Sequence, residues 1–112
     1  MIGWGSGTLP GMIVVKVWNR TDSEIKGLRI TFSEDFKGRE SFIKKIKPKD
    51  FKSTAISILD MEKDNNLVLE RNDDKVIIKE NINSKLNGKV VVINITGFDE
   101  NGNMICTSEF EK

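Results

Sequence analysis

The sequence predicts an all-β protein, an antiparallel sandwich or small barrel of seven or eight short strands. Three observations carry that reading. Apolar side chains recur at every second position, as in "IKGLRITF", where Leu28, Ile30 and Phe32 share one face and Gly27, Arg29 and Thr31 the other. Polar turn formers such as "RTDSE", "NDD" and "DENGN" separate these stretches. No window of eleven or more residues keeps an apolar stripe at helical spacing without a stronger strand pattern.

The elements follow in order. "GWGSGTLPG" holds four glycines and a proline in nine residues, so residues 1–11 read as a flexible leader with Trp4 as its one large apolar anchor. Residues 12–112 then form a single β domain. "MIVVKVWN" opens it, with Val15 and Val17 on one side and Lys16 and Trp18 on the other. Trp18 is expected in the core or as a lid on the sandwich edge. "SFIKKIK" is a strand that Pro48 breaks, and "FKSTAISIL" resumes after it. "LVLER" and "KVIIKE" flank "NDD" as a hairpin. "NINSKLNG" is a connection with room for one helical turn. "KVVVINITGF" has four apolar residues in a row, Val90 to Ile93, which predicts a central strand covered on both faces. Asn101-Gly102 supplies the next turn, and "MICTSEF" is the last strand.

Composition excludes several chemistries. The chain has 112 residues, 38% hydrophobic and 31% charged, with a net charge of +1. One domain of this size buries roughly two-thirds of its unfolded surface. No global field draws it to nucleic acid or to an anionic membrane. Histidine and tyrosine are absent and cysteine occurs once. Ser-His-Asp and Cys-His catalysis, and zinc sites built on His or several Cys, are therefore excluded. No cofactor is expected. One cysteine and no basic signal segment lead us to expect a cytoplasmic protein. No apolar run approaches the roughly 20 residues of a membrane helix.

The segment "KKIKPKDFK" is the main candidate site. Residues 37–52 carry a local charge of +5, whereas residues 60–80 carry −3. Lys44, Lys45, Lys47, Lys49 and Lys52 could bind phosphate, with Phe42 or Phe51 as a stacking surface. The plainer reading is a solvated hairpin around Pro48, whose lysines discourage edge pairing. Phe42, Lys44 and Ile46 share a parity, so a regular strand would turn Lys44 inward. A bulge or a snorkelling side chain would repair this.

Other motifs weigh less. Asp99, Asn101 and Asn103 have the spacing of a calcium loop, but glycine falls fourth rather than sixth, and a hairpin turn is expected. Cys106 has no cationic neighbour in sequence and reads as a structural thiol. Glu34-Asp35 and Asp73-Asp74 fall in turns, a weak basis for a carboxylate-dependent enzyme. Asn19-Arg-Thr21 and Asn94-Ile-Thr96 match glycosylation sequons by chance.

Three stretches carry a family resemblance. "VKVWNRTDSEIKGLRITF" is similar to the first hairpin of the small bacterial immunoglobulin-like domains of the general FxLYD kind. "IKKIKPKDFKSTAISI" resembles their Ile-x-Pro-Gly turn and following strand, with Lys49 where the glycine would stand. "GKVVVINITGFDENGNMI" is similar to their closing hairpin. The aromatic-x-Leu-Tyr-Asp signature is missing. The resemblance implies an immunoglobulin-like antiparallel β-sandwich and carries over no site residue. The expected role is non-catalytic binding or scaffolding with a protein partner, using Trp4 or a free sheet edge. Nucleic-acid binding through Lys44–Lys52 is the alternative.

Overall fold

Eight strands form within residues 11–33, 39–59 and 61–111, the residues that the computed structural model describes. They are β1 (Met12–Asn19), β2 (Ile25–Phe32), β3 (Ser41–Ile46), β4 (Phe51–Ser57), β5 (Asn65–Arg71), β6 (Asp74–Ile82), β7 (Val90–Phe98) and β8 (Met104–Phe110). The helical turn expected in "NINSKLNG" is a short 3-10 helix at Ser84–Leu86, capped by the Asn83 side chain. Trp4 and Glu34-Asp35 lie outside the described residues.

Alternation produces the two layers. In β1, Ile13, Val15 and Val17 are completely buried while Val14, Lys16 and Trp18 face outward. The strands assemble as two sheets, in orders β4-β1-β7-β8 and β3-β2-β5-β6. Their inner faces meet in one aliphatic core, with Ile25, Leu28, Ile30, Leu67 and Leu69 opposing Ile13, Val15, Val17, Val91 and Ile93. Each such side chain contributes about 1.5–3 kcal/mol by leaving water. The protein is therefore a β-sandwich, as the period of two requires.

Pairing adds what alternation does not specify. β1 runs antiparallel to β4 but parallel to β7, so the expected all-antiparallel arrangement has one exception among the described pairs. β7 is central, between β1 and β8. Its cover is uneven, however: Val91, Ile93 and Ile95 are buried, whereas Val90 and Val92 are only half-buried on the outer face. There Val90 pairs with Val14 and Val92 with Lys16, and these neighbours shield them laterally.

The expected hairpin around Pro48 is corrected. β3 pairs with β2 and β4 pairs with β1, so the Pro48 turn carries the chain from one sheet to the other. The physical reason is burial. Ile43 and Ile46 of β3 enter the core from one sheet, and Ile56 and Ile58 enter it from the other side. The crossing sets these residues opposite one another across the core instead of side by side on one sheet face.

Lys44 needs neither a bulge nor burial. β2 and β3 stay in constant register from Ile25↔Ile46 to Ile30↔Ser41. Within that ladder Gly27 adopts φ +71°. Both strands turn locally there, so Ile25 and Leu28, three apart, point inward, as do Ile43 and Ile46. Lys44 and Lys45 both remain exposed. Only glycine takes a positive φ at little steric cost.

Candidate functional site

The basic segment is built on a tight turn. Asp50 N–H donates to the Lys47 carbonyl at 3.2 Å, Pro48 fixes the second position, and Lys49 adopts φ +63° at the third. That is the conformation in which a type II turn favours glycine. Lys49 is held by its amine, which donates to the Arg20 carbonyl at 2.8 Å and lies 3.3 Å from Asp22.

Asn19 anchors the same turn from β1. Its buried side-chain amide donates to the carbonyls of Ser23, Ile46 and Lys47 at 2.7, 3.0 and 3.2 Å. Its oxygen accepts from Thr21 N–H at 2.9 Å and from the Thr21 hydroxyl at 2.6 Å. An amide so engaged cannot accept a glycan in the folded protein. In the second sequon, Asn94 accepts from Arg20 Nε at 2.9 Å.

The turn brings two edge strands side by side. β3 ends one sheet and β4 ends the other, so each has one side without a ladder partner. A groove of about 360 Å³ lies between them, lined by Phe42, Lys44, Lys45, Lys52, Ser53 and Thr54. Lys52 pairs in register with buried Val17, so it leaves β4 on the side that faces the other sheet. Lys44, Lys45, Lys47 and Lys52 make no ion pair among the described residues. Of the five lysines, three therefore line the groove, Lys47 lies beside it, and Lys49 serves the turn.

The aromatics divide. Phe42 is 65% exposed beside Lys44 and Lys45. Phe51 is already occupied: Trp18 packs on it with ring centres 4.7 Å apart, and the Lys16 amine lies 4.9 Å from its centre. Arg20 covers Trp18 at 4.1 Å. Trp18 is thus neither core nor edge lid. It belongs to a stack on the outer face of its sheet in which two rings lie between two cations. Alternation put Lys16 and Trp18 on one side of β1 but could not show Phe51, which joins them from β4.

The opposite edge is closed by side chains. Asp74 of β6 accepts the Met104 N–H of β8 at 2.6 Å, and the Ser108 hydroxyl donates to the Ile78 carbonyl. Lys79 lies 4.7 Å from the centre of the Phe110 ring. Cys106 is half-buried there. Burial, and secondarily the charge of Asp74, push its thiol from an ordinary 9.0 up to about 11. A thiol held protonated is a poor nucleophile.

Carboxylates converge at one other place. Arg29 binds Glu40 at 2.6 Å and Glu70 at 3.1 Å. The bond to Glu40 is the largest influence raising the Arg29 pKa above its ordinary value. Both acids bind the guanidinium, and Glu70 and Arg29 also line an open cavity of about 550 Å³. In the last hairpin, Asp99 accepts from the N–H groups of Asn101 and Asn103, both at 2.9 Å. Gly102 alone of that turn has a positive φ, +82°. The carboxylate closes the turn, as the hairpin reading of "DENGN" expects.

No protein-family model matches the chain, and no curated protein matches it. Its fold is similar to that of a structure described as the NMR structure of the protein from Eubacterium rectale, with a TM-score of 0.52 over 86% of each chain and 14% identity. That likeness concerns the fold alone.

Proposed function

We propose that this chain is a non-catalytic binding module, an immunoglobulin-like sandwich of the FxLYD kind, that takes a protein partner at the β3/β4 edge. One observation carries the reading. Lys44, Lys45 and Lys52 converge on a groove between two edge strands while making no ion pair of their own among the described residues. An uncovered strand offers backbone hydrogen bonds, and a protein partner can use them directly. Side chains bridge the sheets at both edges, Ser41 to Thr54 here and Asp74 and Ser108 at the β6/β8 edge, so the choice of side rests on the lysines.

Nucleic-acid binding is the second reading, because exposed Phe42 stands beside the same lysines. Phe51, 38% exposed, already packs against Trp18 and Lys16, so Phe42 offers the larger open ring. A chain of near-neutral net charge also supplies little long-range attraction to a polyanion.

The test compares wild type with the combined Lys44→Gln, Lys45→Gln and Lys52→Gln variant in affinity capture and cross-linking. A protein retained by wild type and lost from the variant is the expected result. Recovery of only the monomer in repeated experiments contradicts the proposal. Tight oligonucleotide binding that weakens steeply with salt supports the second reading instead.

A further inference from the structure

We infer that the partner's contact is an extended, acidic peptide segment that adds to β4 as a new edge strand; this rests on the protein-binding reading above. The backbone of β4 shows which groups are open. Asn19 N–H donates to the Asp50 carbonyl, and Ile58 N–H donates to the Gly11 carbonyl. Bonds alternate along an antiparallel ladder. Lys52, Thr54 and Ile56 therefore exchange bonds with β1, and the peptide groups of Phe51, Ser53, Ala55 and Ser57 point away from it.

Both ends of that outer side are capped. Asp50 accepts from Phe51 N–H at 2.8 Å. At the other end the Arg39 guanidinium donates to the Ser57 carbonyl at 3.2 Å and to the Leu59 carbonyl. Between the caps lie the N–H and C=O groups of Ser53 and Ala55. The window is short, enough for a segment of roughly five residues at the strand rise. Ser53 and Ala55 are small and leave the outer face of the window clear.

Side-chain chemistry sets the occupant's charge. Alternate residues of an added strand would lie on the groove side, over Lys52, with Lys44 and Lys45 across the cleft. Acidic residues at every second position satisfy these three cations. A second copy of β4, paired antiparallel over the same window, would set Lys52 beside Ile56 and bring no counter-charge to the three lysines. The lysines thus favour an acidic strand over a second copy of β4.

The experiment titrates an acetylated, amidated Glu-Thr-Glu-Thr-Glu-Thr-Glu peptide into isotope-labelled protein at low salt and follows backbone amides. Parallel titrations use the glutamine analogue, the same peptide N-methylated at alternate residues, and decathymidylate. The acidic peptide is expected to bind, to shift the Ser53 and Ala55 amides, and to slow their hydrogen exchange. The glutamine analogue and the N-methylated peptide should each bind at least tenfold more weakly. Ala55→Pro removes one outward N–H without touching the β1 ladder, and Pro is tolerated on edge strands. That variant should stay folded and lose the peptide. Equal binding by the N-methylated peptide, or tighter binding of decathymidylate than of the peptide, overturns the inference. So does absence of peptide binding. If the peptide fails while a protein is still captured through the lysines, strand addition falls and the protein-binding reading stands.

Discussion

Asn19 shows how much one side chain can organise. It is fully buried, yet its amide has three acceptors and its oxygen two donors, all of them within the loops that define the basic edge. Leaving such groups unpaired costs about 1–3 kcal/mol for each buried one. Asn19→Ala should therefore lower unfolding stability by about 2–4 kcal/mol in urea titration, with the Pro48 turn loosening first. A loss below about 0.5 kcal/mol would show that water replaces the network. Cys106 gives a second residue-level outcome. Its folded thiol titrates at about 11 against an ordinary 9.0, so the folded state holds the proton more tightly than the unfolded chain. That contribution is whole below pH 9 and is lost as the pH rises toward 11. The urea midpoint of Cys106→Ser should fall less than that of wild type between pH 8 and 10.5. Equal falls would show that burial of the thiol contributes nothing to the alkaline loss.

At the scale of elements, the kink shared by β2 and β3 depends on Gly27. Nothing lies within 4 Å of where its Cβ would stand, so a substitution meets backbone strain at φ +71° rather than a clash. Gly27→Ala should cost about 1–2 kcal/mol, the penalty for a left-handed residue. Gly97 also has open space and no positive φ, so Gly97→Ala should stay within about 0.5 kcal/mol of wild type. Equal midpoints for the two variants would contradict the kink. All eight strands were legible in the sequence because β-prone runs bounded by turn formers are local features, visible without knowing the partner strand, even in β3, where Ile43 and Ile46 break strict alternation. Their pairing was not. "IKKIKPKDFKS" reads equally as a hairpin or as a crossing between sheets, since the turn chemistry of Pro48 and Lys49 suits both. Which one forms is settled by the strands that each half pairs with, β2 and β1, and the local pattern does not encode those partners. The parallel contact of β1 with β7 joins residues about 76 positions apart, Val15 with Val91 for example, and no local pattern encodes it.

The whole molecule has two unlike edges. Asp74, Ser108 and the Lys79–Phe110 contact bridge one; Ser41 and Thr54 bridge the other, which also presents lysines that make no ion pair among the described residues. The sequence exposed the charge cluster but not its division of labour. That Lys49 bonds Arg20 and Lys52 faces the cleft became visible only once β3 and β4 lay on different sheets. If these charges keep copies apart, replacing Lys44, Lys45 and Lys52 with threonine should cause concentration-dependent association in sedimentation velocity, whereas wild type stays monomeric in the same buffer. Identical profiles would remove the edge-protection role. The central claim, that a protein partner meets the molecule at the β4 edge, is tested most directly by photo-crosslinking. A photoreactive side chain placed at Ser53 is compared with one at Thr107 on the outer face of β8. Adducts with a partner protein from Ser53 and none from Thr107 are expected; adducts from Thr107 alone, or from both positions equally, would contradict the claim.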